Sequence, residues 1–247
     1  MSASEHLDIA NLVFYAIISL PAIYCLITHG KHGLLGWGYV LAMCGLRLAG
    51  NAMALNAAHH HQINATAAII NGIGLSPLLM AATGLLHEAN HSIRKHLPAL
   101  LNIWGYLITH IVIAGGIGLA AASKGNETLL HVGLIIFATG WVFVGALVWF
   151  SRTVDAHSRR LGEERQILLA VTISMPLIGV RIIYAIATAF ATDSFDGGSL
   201  PVRIIFGTLP EYLVMLLYVG VGIATRNLAR SRLEKGEQRC QFVPVHV

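Results

Sequence analysis

Charge is scarce in this chain. Asp, Glu, Lys and Arg make up 11% of its 247 residues, against about 25% in a soluble domain. With 55% hydrophobic residues and a mean hydropathy of +0.68, the composition excludes an ordinary soluble fold. Cysteine is scarce too: three residues are too few for a disulfide framework. Cys25 and Cys44 fall inside apolar runs and are expected to pack as small apolar groups. The lysines are Lys31, Lys95, Lys124 and Lys235, all outside the apolar runs, which excludes a retinal Schiff base. Paired acidic clusters are missing as well. Only Asp193 and Asp196 lie close together, without the second pair needed to hold magnesium against a diphosphate. No Asp-Arg-Tyr or Asn-Pro-x-x-Tyr element marks a receptor.

What the chain does have is seven apolar runs, at 8–28, 35–57, 64–86, 97–122, 129–150, 167–190 and 200–225. Each is near the roughly 20 residues that cross a bilayer as a helix. The reading is an all-α, polytopic membrane protein with seven transmembrane helices in one bundle. It is a single domain over residues 1–247, with a short basic tail from near Arg226. The N-terminus lacks a basic stretch and a cleavage pattern, so the first run is expected to be retained. Basic residues set the orientation. Twelve (Lys31, Arg94, Lys95, Arg152, Arg159, Arg160, Arg165, Arg226, Arg230, Arg232, Lys235 and Arg239) fall on one side, and only Lys124 and Arg203 on the other. This bias predicts a cytosolic C-terminus and a lumenal N-terminus, in the endoplasmic reticulum. It accounts for the net charge of +4 without nucleic-acid binding; the expected partners are the bilayer and a lipophilic small molecule. Nothing in the sequence sets an oligomeric state. Trp37, Trp104 and Trp149 are expected to anchor the cytosolic interface.

Three charges interrupt the runs near their middles: Arg47, Arg181 and Glu211. A charge at that depth costs a few kcal/mol or more and normally faces the bundle interior and marks a site. Counting rise per residue from the lumenal ends places all three in one layer. Asn51 is one turn from Arg47, Tyr184 one turn from Arg181, and Tyr212 adjoins Glu211. Asn71 and His110 fall near the same depth, and Trp141 is mid-span, where an indole face stabilises a cation. Pro77, Pro176 and Pro210 are expected to break or kink their helices. The small residues in 72–74 and 115–118 are expected to let helices approach closely.

A second pattern competes. His87-Glu88-Ala89-Asn90-His91 matches H-E-x-x-H, which on a helix aligns two zinc-ligating histidines with a glutamate base. A third ligand would have to come from His32, Asp155 or Glu163. This motif lies at the opposite end of its run from the charge layer, so an intramembrane zinc metallopeptidase stands as an alternative to any function of the layer. A carrier or receptor holding an anionic lipophile between Arg47 and Arg181 is a further alternative.

With Arg47 in Gly45-Leu46-Arg47-Leu48-Ala49-Gly50, Arg181 in Val180-Arg181-Ile182-Ile183-Tyr184, and Glu211 in the last run, the chain resembles a family of small fungal seven-helix membrane proteins. That family includes the membrane-bound terpene cyclases of ascochlorin- and ascofuranone-type meroterpenoid biosynthesis. The resemblance implies a non-redox cyclisation of an epoxidised farnesyl chain on an aromatic substrate, with no metal or organic cofactor. It supplies no catalytic set by motif, so residue roles come from chemistry. Opening an epoxide needs an acid; the carbocation then needs a dry, aromatic-lined cavity. Glu211, His110 and Tyr184 are the candidate catalytic residues. Arg47, Arg181, Asn51, Asn71, Trp141 and Tyr212 are the candidate substrate-binding residues. Burial would keep Glu211 protonated, whereas an adjacent arginine would disarm it as an acid.

Overall fold

The periodicity of the first run already states how it packs. Asp8, Asn11, Tyr15, Ile18, Ala22, Cys25 and His29 recur at alternating spacings of three and four, and all are buried. This is a single helical face, and between its buried positions Val13, Ile17, Leu20 and Ile27 are exposed, as lipid contact requires. The computed structural model describes residues 2–60, 75–91, 93, 103–123, 126–153, 162–192 and 199–228, and among them there is no strand.

The described residues form six main helices: α1 Ala3–His59, α2 Leu75–Ala89, α3 Ile103–Ala121, α4 Glu127–Thr153, α5 Gly162–Thr192 and α6 Leu200–Ala224. Four of them, α1, α4, α5 and α6, are long and apolar enough to cross a membrane. The first two expected runs are joined in α1, where seven separate helices were expected. Its continuity is broken once, at Gly30, with φ 62° and ψ −151°. That conformation is open to glycine and strained for a residue with a side chain. A hydrogen bond from Asn11 Nδ2 to Asn51 Oδ1, 3.3 Å long, shows that the two limbs double back on each other. Asn71 and the small residues at 72–74 lie outside the described residues.

α2 is the centre of the assembly. Every described side chain from Ser76 to Asn90 is buried except His87, and α2 packs against α1, α3 and α5. A helix apolar all round belongs inside a bundle. Its approach to the second limb of α1 is backbone to backbone at Gly36 and Gly84. A Cβ added to Gly36 would stand 2.9 Å from the Leu85 nitrogen, and one added to Gly84 would overlap Gly36 itself. α3 and α4 cross in the same way at Gly116 and Gly133, where an added Cβ on Gly116 would lie 2.9 Å from the Gly133 oxygen. Gly115 and Gly118, expected at such a crossing, face open space.

The prolines act differently from expectation. α5 runs unbroken through Pro176, and α2 carries Pro77 in its first turn, where the missing N–H costs nothing. In α6 the distortion precedes Pro210: residues Arg203–Thr208 form a π-turn. Trp37 is not an interface anchor. It is fully buried, with its ring against Gly222 and its indole nitrogen on Glu88. Trp149, at 73% exposure, fits the interfacial role, and the Trp104 side chain lies outside the described residues.

The crossing at Gly36 and Gly84 predicts that Gly84→Ala lowers stability by about 1–3 kcal/mol, the range for overpacking. Gly118→Ala adds its methyl to open space and leaves the melting temperature in detergent unchanged. Equal melting of the two variants would refute the close crossing.

Candidate functional site

Three of the charges and amides read from the sequence meet on one seam, formed by the two limbs of α1 and by α6. Arg47 Nη2 donates to Glu211 Oε1 in a buried ion pair. Behind it runs a chain of hydrogen bonds. Asn51 Nδ2 donates to the Arg47 carbonyl at 2.6 Å, Asn11 Nδ2 donates to Asn51 Oδ1, and the Tyr212 hydroxyl donates to Asn11 Oδ1 at 2.6 Å. Each amide therefore holds its neighbour in place, and the backbone carbonyl of Arg47 is tied as well as its guanidinium.

Aromatic rings close around the pair. Phe14 stacks on Tyr212 with centroids 3.7 Å apart, and Tyr15 meets both rings edge-on at 5.1 and 5.9 Å. Tyr15 is fully buried and within electrostatic reach of Arg47 and Glu211. Its hydroxyl has no hydrogen-bond partner among the described residues. A buried hydroxyl without a protein partner is costly and needs a further polar group to bond. At the outer edge of the seam, Arg203 lies 3.8 Å from Asp8. Sequence reading missed Asp8, Asn11, Phe14 and Tyr15. The signal was available, because Asp8, Asn11 and Tyr15 share the buried stripe of the first run.

Arg181 and Tyr184 occupy the neighbouring helix. The guanidinium of Arg181 stands 5.5 Å from the centre of the Tyr184 ring, and both side chains are buried. Tyr184 packs over Gly207 in the π-turn, where an added Cβ would come within 3.3 Å of the ring. About three turns further along, the Ser174 and Tyr218 hydroxyls are 2.7 Å apart. These two contacts fix an antiparallel register of α5 on α6 that brings Arg181 level with Glu211.

His110 and Trp141 sit elsewhere. His110 Nδ1 is 2.6 Å from the Tyr106 carbonyl, so it is the protonated ring nitrogen, and Nε2 is 3.4 Å from Thr83 Oγ1. Its ring faces Tyr39 at 5.3 Å. Tyr39 precedes Arg47 by eight residues on one helix, about 12 Å along its axis. Trp141 donates to the Met175 carbonyl at 3.0 Å and lies in the notch left by Gly179, whose added Cβ would be 2.5 Å from the ring. It is held as a packing residue between α4 and α5.

The H-E-x-x-H motif is placed in a second polar cluster, about 15 Å from the ion pair along the second limb of α1. Glu88 faces the α1 break: its Oε1 is 2.8 Å from His29 Nδ1, and Trp37 Nε1 donates to its Oε2 at 3.2 Å. His29 Nε2 is 3.0 Å from the Gly222 carbonyl. A carbonyl only accepts, so Nε2 carries a proton and a second is shared between Nδ1 and Glu88. His87 turns instead to Tyr106, and His91 to His32, with centroids 4.9 and 4.2 Å apart. Among the described residues no group of three His, Cys, Asp or Glu side chains is arranged to hold a metal ion. Asn90, in the same motif, donates to the Tyr106 hydroxyl and accepts from Ser151. The motif joins α1, α2, α3, α4 and α6 through hydrogen bonds.

The buried pair predicts a double-mutant result. Arg47→Met or Glu211→Leu alone strands a buried charge and lowers stability by about 3–5 kcal/mol. The double variant recovers most of that loss, because no charge remains to be solvated. Thermal unfolding of the four proteins measures it, and additive losses would show that the two side chains are not paired.

No curated protein and no solved structure matches the chain. Residues 1–228 match the family described as a domain of unknown function, DUF7702. That match spans all six helices and both polar clusters, and the chain belongs to this family.

Proposed function

We propose that the chain crosses the bilayer seven times, the two limbs of α1 counting as separate crossings, with its basic tail in the cytosol and its N-terminus in the lumen of the endoplasmic reticulum. We further propose that it is a membrane-embedded cyclase acting on an epoxidised prenyl chain attached to an aromatic head, as the resemblance implies. One observation supports this reading most: a buried ion pair, Arg47–Glu211, surrounded by Phe14, Tyr15 and Tyr212.

The residues divide the chemistry among them. Glu211 has one oxygen on Arg47, which makes it a counter-ion rather than the acid. The Tyr15 hydroxyl is the donor to the epoxide oxygen as the C–O bond opens. The carbocation formed on the prenyl chain is attacked by an internal double bond. Aromatic faces and the Glu211 carboxylate stabilise the positive charge as it moves. Loss of a proton from the cyclised cation balances the proton given to the alkoxide, so substrate and product are isomers. Arg181, level with Glu211 and braced by Tyr184, contacts the aromatic head.

Protein purified in detergent is expected to convert an epoxyfarnesyl phenol to a product of equal mass, and to do so after chelator treatment, because donor and counter-ion are both side chains. Tyr15→Phe removes only the hydroxyl. Turnover falls at least about 100-fold with the melting temperature unchanged. Normal turnover in a folded Tyr15→Phe variant would move the proton donor to Tyr184 or His110. Failure of the wild type to isomerise any epoxyprenyl phenol would sink the cyclase reading.

A further inference from the structure

Away from both polar clusters, a groove of about 490 Å³ runs between α4 and α5. Gly145, Val148, Trp149, Arg152 and Thr153 form its α4 wall; Thr172 and Met175 form the other. The α4 positions fall at spacings of three, four, seven and eight, which is one helical face. The groove exists because Gly145 has no side chain: an added Cβ there meets only the tip of Met175, at 3.8 Å. Thr172 donates its hydroxyl to its own helix, to the Leu168 carbonyl at 2.8 Å, so its polar atom is not offered to the groove. Val142, Phe150, Leu169 and Ile173 on the flanking surfaces are exposed and apolar.

The two ends of the groove differ. At Gly145 and Met175 it is wholly apolar. About 10 Å further along α4, at the last turn of the helix, Arg152 is exposed. Its side chain makes no ion pair or hydrogen bond with any described residue. Trp149, between the two ends, presents its indole outward. An apolar channel that ends in a guanidinium without a partner among the described residues, beside an exposed tryptophan, matches the polarity of a phospholipid along its length. The channel complements an acyl chain, the indole complements the glycerol region, and the guanidinium complements a phosphate, which arginine binds with two parallel N–H bonds.

We propose that this groove is a binding site for an anionic phospholipid, with one acyl chain along Gly145 and Met175 and the headgroup on Arg152. The inference rests on the membrane reading alone and is independent of the chemistry assigned to the ion pair, so either can fail without the other. Basic pockets between transmembrane helices favour anionic lipids, and one arginine near the surface is worth about a fivefold preference.

Trp149 supplies the measurement. Bromine on an acyl chain quenches indole fluorescence on contact. The full chain is placed in nanodiscs of unbrominated phosphatidylcholine, doped with brominated-chain phosphatidylserine or brominated-chain phosphatidylcholine. The Trp149 signal is obtained by subtracting the emission of a Trp149→Phe variant. Quenching by the brominated phosphatidylserine is expected to saturate at roughly a fivefold lower mole fraction than quenching by the phosphatidylcholine. Arg152→Gln, a surface change that leaves the fold intact, should abolish that difference, and Gly145→Leu should reduce quenching by both lipids. Equal quenching by the two lipids in the wild type shows ordinary annular contact and overturns the proposal. A preference that survives Arg152→Gln overturns it as well, by placing the headgroup elsewhere.

Discussion

The pairing of Arg47 with Glu211 is the constraint around which the helices are arranged. Each charge alone would be prohibitive in an apolar interior, and their attraction offsets the loss of water only at close range with the remaining polar atoms satisfied. The fold supplies the close range by bringing both limbs of α1 and α6 to one seam, where Asn51 and Asn11 extend the bonding from the Arg47 backbone to Tyr212. A shift of either helix by one residue would turn Glu211 away from Arg47. The pair therefore sets a register as well as a site.

The same logic is repeated near the other end of the bundle. Glu88 is held by His29 and Trp37, and His29 reaches the carbonyl of Gly222. This cluster spans the α1 break, where Gly30 adopts the left-handed conformation. The two seams clamp α1 to α6 at both ends. Between them α2 fills the centre with an apolar surface and approaches α1 through Gly36 and Gly84. Dispersion between closely spaced backbones then does what the hydrophobic effect cannot do in lipid, where the surroundings are as apolar as the helices.

The two clusters differ in chemistry. In the Glu88 cluster, both ring nitrogens of His29 and both carboxylate oxygens of Glu88 have hydrogen-bond partners, and the bonds join helices. The Arg47–Glu211 seam contains the Tyr15 hydroxyl, buried without a partner among the described residues, and a stack of aromatic rings. Function concentrates where a rule of packing is broken, and this hydroxyl is such a place. The Arg152 groove is a third environment, on the outer surface of α4 and α5 rather than in the interior.

The helical class was legible in the sequence because apolar runs of about 20 residues, with a sparse charge set at their ends, have few other stable forms. The choice of Arg47, Asn51, Glu211 and Tyr212 was legible for the same reason: a polar group inside such a run must face protein. Asp8, His29 and Glu88 were not, because residues at the ends of a run read as interfacial until the chain's path is known. Trp37 was misread on the same ground. What the H-E-x-x-H residues contact also depended on neighbours that are distant in sequence, His29 at 59 residues from Glu88 and Ser151 at 61 from Asn90. Sequence by itself determined that polar groups deep inside an apolar run must be buried, since that follows from the cost of exposing polar atoms to lipid. Only tertiary structure decided which of them meet, because partner choice depends on helix register, on the left-handed break at Gly30, and on the glycines that let backbones touch.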